Sequence, residues 1–297
     1  MTLGLDLSDV GVHAVVVNDQ GEVLARADQA IAAGGVADAV REAAARVAGA
    51  ARGALTAGGV ATPWPGDGLP DDVASGFAAA MPGVTPVSIA AGSASALGES
   101  WCGAARGLTN VISFAIGEHV TAGLLIDGKV WKGAHGYAGS VGWLALNPVE
   151  REDYRKFGGL EAEVAAAGIV RRLVWRIKSG DRSNVVDQVG GELGRLTADH
   201  VINGARLGDG VCISVVRDTA KYVGMAISNL STVLDPEAVV LGGTLALSGD
   251  MMLEPIRLEC SRRLRPSQAE QIRIVLSTLG VDAVAIGAAR AAAISRA

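Results

Sequence analysis

The 297-residue chain reads as an α/β protein, and three observations point there. Strand-like and helix-like segments alternate through its second half, the pattern of an α/β fold. One layout, strand–loop–strand–short glycine turn–strand, occurs twice, first in LGLDL to EVLARAD and again in VISFAI to KVWKG. The length suffices for two domains with substantial cores.

LGLDL, VHAVVV and EVLARAD, with a turn at Asp19-Gln20-Gly21 before the last, read as three antiparallel strands. Val36 to Leu55 is rich in alanine and arginine, lacks proline and predicts a helix. GVATPWPGDGLPDD is punctuated by proline and glycine and reads as a loop. DDVASGFAAAM suits a helix with an acidic first turn, VTPVSIA a strand, and SASALGESWCGAARG a helix stopped at Gly107. The central stretch then gives VISFAI, the loop GEHVT, TAGLLI, an Asp127-Gly128 turn and KVWKG. Asp-Gly between apolar strands is a strong hairpin signal, because the turn needs positive φ. Gly133, Gly136, Gly139 and Gly142 follow at a spacing that suits backbone bending around a cleft. Helices are expected over Leu160–Ile177, Thr197–Arg206 and Cys212–Leu234. DPEAVVLGG reads as a strand, GDMMLEPIRLECSRRL as a helix, IRIVLSTL as a strand and VDAVAIGAARAAAISRA as a closing helix.

Composition excludes several function classes. Hydrophobic residues make up 49% and mean hydropathy is +0.34, but no apolar run reaches bilayer length and MTLGLDLSD lacks a basic leader region. A cytoplasmic protein without membrane attachment is the expectation. Cys102, Cys212 and Cys260 are widely spaced and odd in number, which argues against a disulfide framework or a CxxC zinc site. A formal charge of -5 and a pI near 5.4 argue against a dedicated nucleic-acid surface.

The duplicated three-strand layout is what the two actin-like, ribonuclease-H-like ATPase domains would show. With it come ALGESWCGAARG, the glycine-spaced run ending in GGLE, ARLGDG, DPEAVVLGG and VDAVAIGAARAAA, in that order. Together these blocks resemble the ROK family of repressors, open reading frames and sugar kinases. The resemblance implies an actin-like fold with a smaller domain, residues 1–108 plus 285–297, and a larger one, residues 109–284, around a cleft. It also implies a homodimer.

The family's chemical side chains are largely replaced. Sugar phosphorylation needs a base for the hydroxyl proton and a backbone cradle for the phosphates. Aligned back from Leu97-Gly98-Glu99, the family's catalytic aspartate falls at Ala91, and no carboxylate lies between Asp72 and Glu99. The first phosphate loop is Asp6-Leu7-Ser8-Asp9-Val10-Gly11, which keeps Asp6 but loses its glycine pair. The second is Gly117-Glu118-His119-Val120-Thr121, and Gly242 and Gly243 close the adenosine-side strand. Asp9 and Glu118 add negative charge where triphosphate would lie. Like charges about 4 Å apart cost on the order of 1–4 kcal/mol, so ATP and Mg²⁺ are disfavoured. The zinc histidine falls at Trp143 and the three cysteines at Glu152, Tyr154 and Gly159, so no zinc is expected.

Trp143 is read as filling the vacated metal space, with a sugar-stacking platform as the alternative. Ser140 stands where the family has a sugar-binding glutamate, while Glu161 keeps its identity as a sugar-hydroxyl acceptor, and His135, a residue family members often share, is expected to line the cleft. Glu118 and His119 form a candidate acid–base pair facing Asp6. His13 and His200 read as structural, and Glu99 as a helix-surface or interdomain contact. Three functions therefore compete: a catalytically degenerate ligand-binding or regulatory protein, an ATP-dependent carbohydrate kinase with displaced groups, and a repurposed enzyme using Glu118 and His119. The expected ligand is a small molecule of the sugar class. Because the chain starts at the first phosphate-loop strand, direct DNA binding is not expected.

Overall fold

A computed structural model describes all residues except 33–34, 52–53, 64–67, 244–247 and 297. The chain divides into two compact units, Met1–Ser113 with Ala122–Gly139 and Ser277–Ala297, and Phe114–Thr121 with Ser140–Leu276. The first sheet runs β3-β2-β1-β4-β5, from β1 (Thr2–Leu7), β2 (Gly11–Val17), β3 (Val23–Ala30), β4 (Ala57–Thr62) and β5 (Val87–Ala90). β1 pairs antiparallel with β2, placing Asp6 opposite His13, and parallel with β4, which in turn pairs parallel with β5.

The second sheet runs β10-β9-β6-β7-β8, from β6 (Val111–Ile116), β7 (Val120–Ile126), β8 (Lys129–Val130), β9 (Ala238–Gly243) and β10 (Arg273–Leu276). Its order is that of the first sheet, three meander strands followed by two more beside the first of them. The repeat seen in the letters is therefore a repeat of topology, the actin-like duplication. The Asp127-Gly128 turn has φ of 51° and 74°, the positive pair that a tight hairpin turn demands.

The loop expected over residues 59–72 begins instead within β4, a fully buried interior strand, while its residues 64–67 lie outside the described residues. The β4 sequence, AGGVAT, has a single β-branched residue before Thr62 and no alternation, because both faces are covered. Its glycines are required by packing rather than by a turn. A Cβ on Gly59 would collide with the Ala288 carbonyl, and one on Gly58 with the Phe77 ring.

Helices cover both faces of the first sheet. On one side Leu3, Leu5, Leu7, Val12, Ala14 and Val16 pack with Val40, Ala43 and Val47 of α1 (Gly35–Ala50) and Phe77 of α2 (Asp71–Ala80). On the other, Val15 and Val17 pack with Ala285, Ile286 and Ala289 of the terminal helix, Ala283–Ile294. Gly4 lets that helix reach the sheet, since a Cβ there would collide with the Ala285 carbonyl. The helix α3 (Ala91–Cys102) lies against the same terminal helix, where Gly287 meets the Ala94 carbonyl. Along this glycine- and alanine-rich seam the backbones approach closely because the side chains are small.

In the second unit the expected Leu160–Ile177 helix is broken at Ala165 into α5 (Glu161–Val164) and α6 (Ala166–Lys178), after the short α4 (Glu152–Phe157). α7 (Val185–Gln188) leads to α8 (Ala198–Arg206), then the 25-residue α9 (Gly210–Leu234). Asp209 caps α9 by accepting the Val211 and Cys212 amides. Its apolar stripe is narrower than the letters imply, because Val233 is 81% exposed. His200 stands in the first turn of α8 and completes a capping box with Thr197, which gives its expected structural role a concrete form. Among the described residues no helix is long and apolar enough to cross a membrane.

Candidate functional site

In the first unit, Ser8, Asp9 and Val10 form the turn between β1 and β2. The Ser8 amide donates to the Gly11 carbonyl at 2.9 Å, and the Gly11 amide donates to Ser8 Oγ at 3.1 Å. The serine that replaces a family glycine thus closes the loop upon itself. Asp9 lies exposed at the tip.

Asp6 precedes this turn, and burial pushes its carboxyl up to about 6, with the charge of His13 opposite acting weakly against the shift. His13 is bracketed by carboxylates, Nδ1 at 2.7 Å from Asp28 and Nε2 at 2.8 Å from Asp282. Burial works against protonation of the ring, but these two bonds outweigh it and raise the imidazole above its ordinary value. Asp282 also takes both Nε and NH2 of Arg26, at 2.9 and 2.8 Å. The structural role expected of His13 has a concrete form: it ties β2 and β3 to the turn that starts the terminal helix.

Ala91 is the first residue of α3, where β5 ends. Glu99, the nearest downstream carboxylate, is 0% exposed. It accepts the Ala104 amide at 2.7 Å and the Ser277 hydroxyl, so it is not a surface residue; Ser277 falls in the larger domain that the resemblance implies but in the same compact unit as Glu99. Gly92 packs against β7, where a Cβ would meet the Ala122 carbonyl. His135 is exposed in the segment after β8, among Gly133, Gly136 and Gly139 with φ of 74°, 76° and 90°. Gly142, by contrast, is not among the positive-φ glycines.

In the second unit, the GEHVT loop follows β6. The Gly117 amide donates to the His119 carbonyl at 3.0 Å, and the Gly117 carbonyl accepts from Ala166 at 3.0 Å. His119 does not pair with Glu118. Its Nδ1 meets Glu161 Oε1 at 3.0 Å, while Glu161 Oε2 accepts the Val120 amide at 3.0 Å. Glu161, expected to receive a sugar hydroxyl, therefore already braces the loop with both oxygens. A carboxylate has about four lone-pair positions, so capacity for a further hydroxyl remains. Glu118 is exposed and lines a groove with residues of α6 and α8. Gly243, with φ of 66°, abuts the end of β6, where a Cβ would strike the Ile116 carbonyl. The structure thus brings Gly242 and Gly243 beside Ala115 and Ile116 at the entry to the Gly117 loop, while residues 244–247 lie outside the described residues.

Trp143 ends a 3-10 turn, Val141–Trp143, whose Gly142 packs so closely on Glu161 that a Cβ would lie 2.9 Å from Oε2. The tryptophan is 60% exposed and fills no buried space, contrary to expectation. Glu152 is paired with Lys156 at 2.7 Å. Tyr154 donates to Glu163, and burial and that bond push its phenol well above the usual range. The neighbouring sequence holds what was missed: Glu163 is 6% exposed and, although burial opposes it, is held below the usual carboxylate range by Tyr154, Arg172 and Arg151. The letters gave no sign of this, since the partners lie 9 to 12 residues from Glu163 and charged residues on helices are usually solvated.

The ROK family model matches residues 85–294. The glucokinase of Halalkalibacterium halodurans is 34% identical over 194 residues, 65% of this chain and 58% of that protein. The xylose repressor of Caldicellulosiruptor bescii is 28% identical over 200 residues, 65% of this chain and 48% of that one. The chain thus matches about half of each relative's own length. Among solved structures, a ROK family glucokinase from Streptomyces griseus in complex with glucose and AMPPNP superposes with a TM-score of 0.82 at 24% identity, covering 99% of both chains. A ROK family transcriptional regulator homologous to E. coli MLC gives 0.81 at 19% identity, covering 98% of this chain and 77% of that one. These likenesses establish the actin-like ATPase fold. With the family model spanning most of its length, from β5 through the terminal helix, this chain belongs to the ROK family.

Proposed function

We propose that this ROK family protein has lost sugar-kinase chemistry and works by binding a small molecule of the sugar class, as a ligand-responsive or regulatory protein. One observation carries the reading. The family's base position is Ala91, and the nearest downstream carboxylate, Glu99, is fully buried and engaged with Ser277 and Ala104, so it cannot replace the base. Loss of a general base costs about 10²–10⁴ in rate.

Two further features agree with it. The Ser8, Gly11, Gly117 and Val120 amides are engaged within their own units, and Asp9 and Glu118 are exposed carboxylates on the same loops. Such loops do not fit a triphosphate, which needs open amides and low negative charge. Trp143, Glu152, Tyr154 and Gly159 offer neither thiolate nor imidazole and do not fit zinc. What remains is suited to recognition: an exposed indole next to Gly142, and the Glu161 carboxylate behind it. Homodimerisation belongs to the same proposal, by family resemblance.

The test follows ADP release from ATP with glucose, N-acetylglucosamine or N-acetylmannosamine, for the parent and for Ala91→Asp. No turnover by either is expected. Turnover near one per second by the parent would overturn the reading. Activity confined to Ala91→Asp would show that the loops still hold ATP, and would refute the electrostatic part.

A further inference from the structure

The second unit carries a groove that the proposed ligand site does not use. It is a cavity of about 1130 Å³ between α4, α6 and α9, with an opening flanked by Trp175. We infer that this groove binds a phosphate monoester carried on a ring, held by Arg151 and Arg172 on either side of Glu163 and stacked against Trp175.

The charge distribution carries the inference. Glu163 lies at the floor, 6% exposed, facing two guanidiniums: Arg151 NH1 at 3.1 Å and Arg172 NH2 at 2.5 Å. The remaining charges of the lining pair one to one. Arg171 meets Asp153 at 3.0 Å, Arg176 meets Asp181 at 2.7 Å, and Lys221 meets Asp218 at 3.4 Å. The single surplus positive charge therefore lies with the two arginines on Glu163, in a protein whose formal charge is -5. Arg172 is only 15% exposed, and a cation so shielded from bulk water attracts an anion more strongly than one at the surface, while the half-exposed Arg151 leaves the approach open.

The donors suit phosphate. A guanidinium has five N–H groups in a planar fork. Among the described residues, the Arg151 side chain makes one hydrogen bond, to Glu163, and it remains 51% exposed. Arg172 is anchored by Glu163 and Thr219 and stacks over the Tyr222 ring at 5.4 Å, which fixes its plane. An oxyanion with three acceptor oxygens can take donors from both arginines, whereas Glu163 supplies only two oxygens to the pair. Trp175 is 68% exposed on α6, and an indole left in water beside the two arginines suits the face of a ring. Asp153, Asp181 and Asp218 line the same walls, which opposes ligands carrying extended negative charge and favours a single phosphate.

The test uses the full chain with phenyl phosphate, inorganic phosphate and phenol, followed by tryptophan fluorescence and calorimetry. Phenyl phosphate should bind more tightly than either fragment, and more weakly as salt rises. Arg151→Gln should weaken phenyl phosphate and inorganic phosphate alike, by about tenfold to a hundredfold. Trp175→Ala should weaken phenyl phosphate about tenfold while leaving inorganic phosphate unchanged, and should remove most of the fluorescence response. If Arg151→Gln fails to fold, Trp175→Ala alone decides, because its side chain is exposed. Absence of saturable binding by the parent up to about 10 mM would overturn the inference. So would binding that neither substitution alters, or sedimentation showing a dimer that phenyl phosphate neither dissociates nor binds, with Trp175→Ala breaking it.

Discussion

Replacing Asp6 by asparagine should stabilise the protein, and more so at neutral pH than in mild acid. In the folded chain burial raises this carboxyl from 3.8 to about 6. The folded state therefore holds its proton to higher pH than the unfolded chain does. Between those values the unfolded state binds fewer protons, so stability falls as pH rises and the loss is complete above about 6. A shift of about two units corresponds to roughly 3 kcal/mol at pH 7 and roughly 1 kcal/mol at pH 4.5. Asp6 keeps some access to solvent, and screening trims both figures. Asparagine preserves the shape and removes the ionisation. The gain in midpoint should be at most about 6–12 °C at pH 7, from about 3 kcal/mol at about 2–4 °C per kcal/mol, and about a third of that at pH 4.5. Thermal or urea unfolding of parent and Asp6→Asn at the two pH values measures this. An equal shift at both, or a loss at pH 7, would refute the desolvation account of Asp6.

Three other outcomes follow from the geometry. Gly59→Ala should destabilise by about 1–3 kcal/mol, read by urea unfolding, because the terminal helix must move off β4. Trp143→Ala should change stability by less than about 0.5 kcal/mol, since the indole is exposed, while abolishing any thermal shift produced by sugars. Elemental analysis after dialysis should find no stoichiometric zinc, and a value near one per chain would contradict the reading of Trp143, Glu152, Tyr154 and Gly159.

Most of the fold was legible in the letters because it rests on local rules. Asp127-Gly128 needs positive φ, alternation marks the meander strands, and a long apolar-spaced run without proline marks α9 from Cys212 onward. Ala91 is equally plain, since a missing carboxylate is read directly from the chain. β4 was not legible, because AGGVAT is a strand only by virtue of what covers it: Phe77 on one side and the Ala288 carbonyl on the other. The partners of the charged residues were hidden for the same reason. His119 is next to Glu118 in the chain yet bonds Glu161, 42 residues away, and Glu99 finds Ser277 at a separation of 178. Neighbouring letters decide backbone conformation, which is local. A carboxylate's partner and its proton affinity depend on distance and dielectric, and only the tertiary structure sets those.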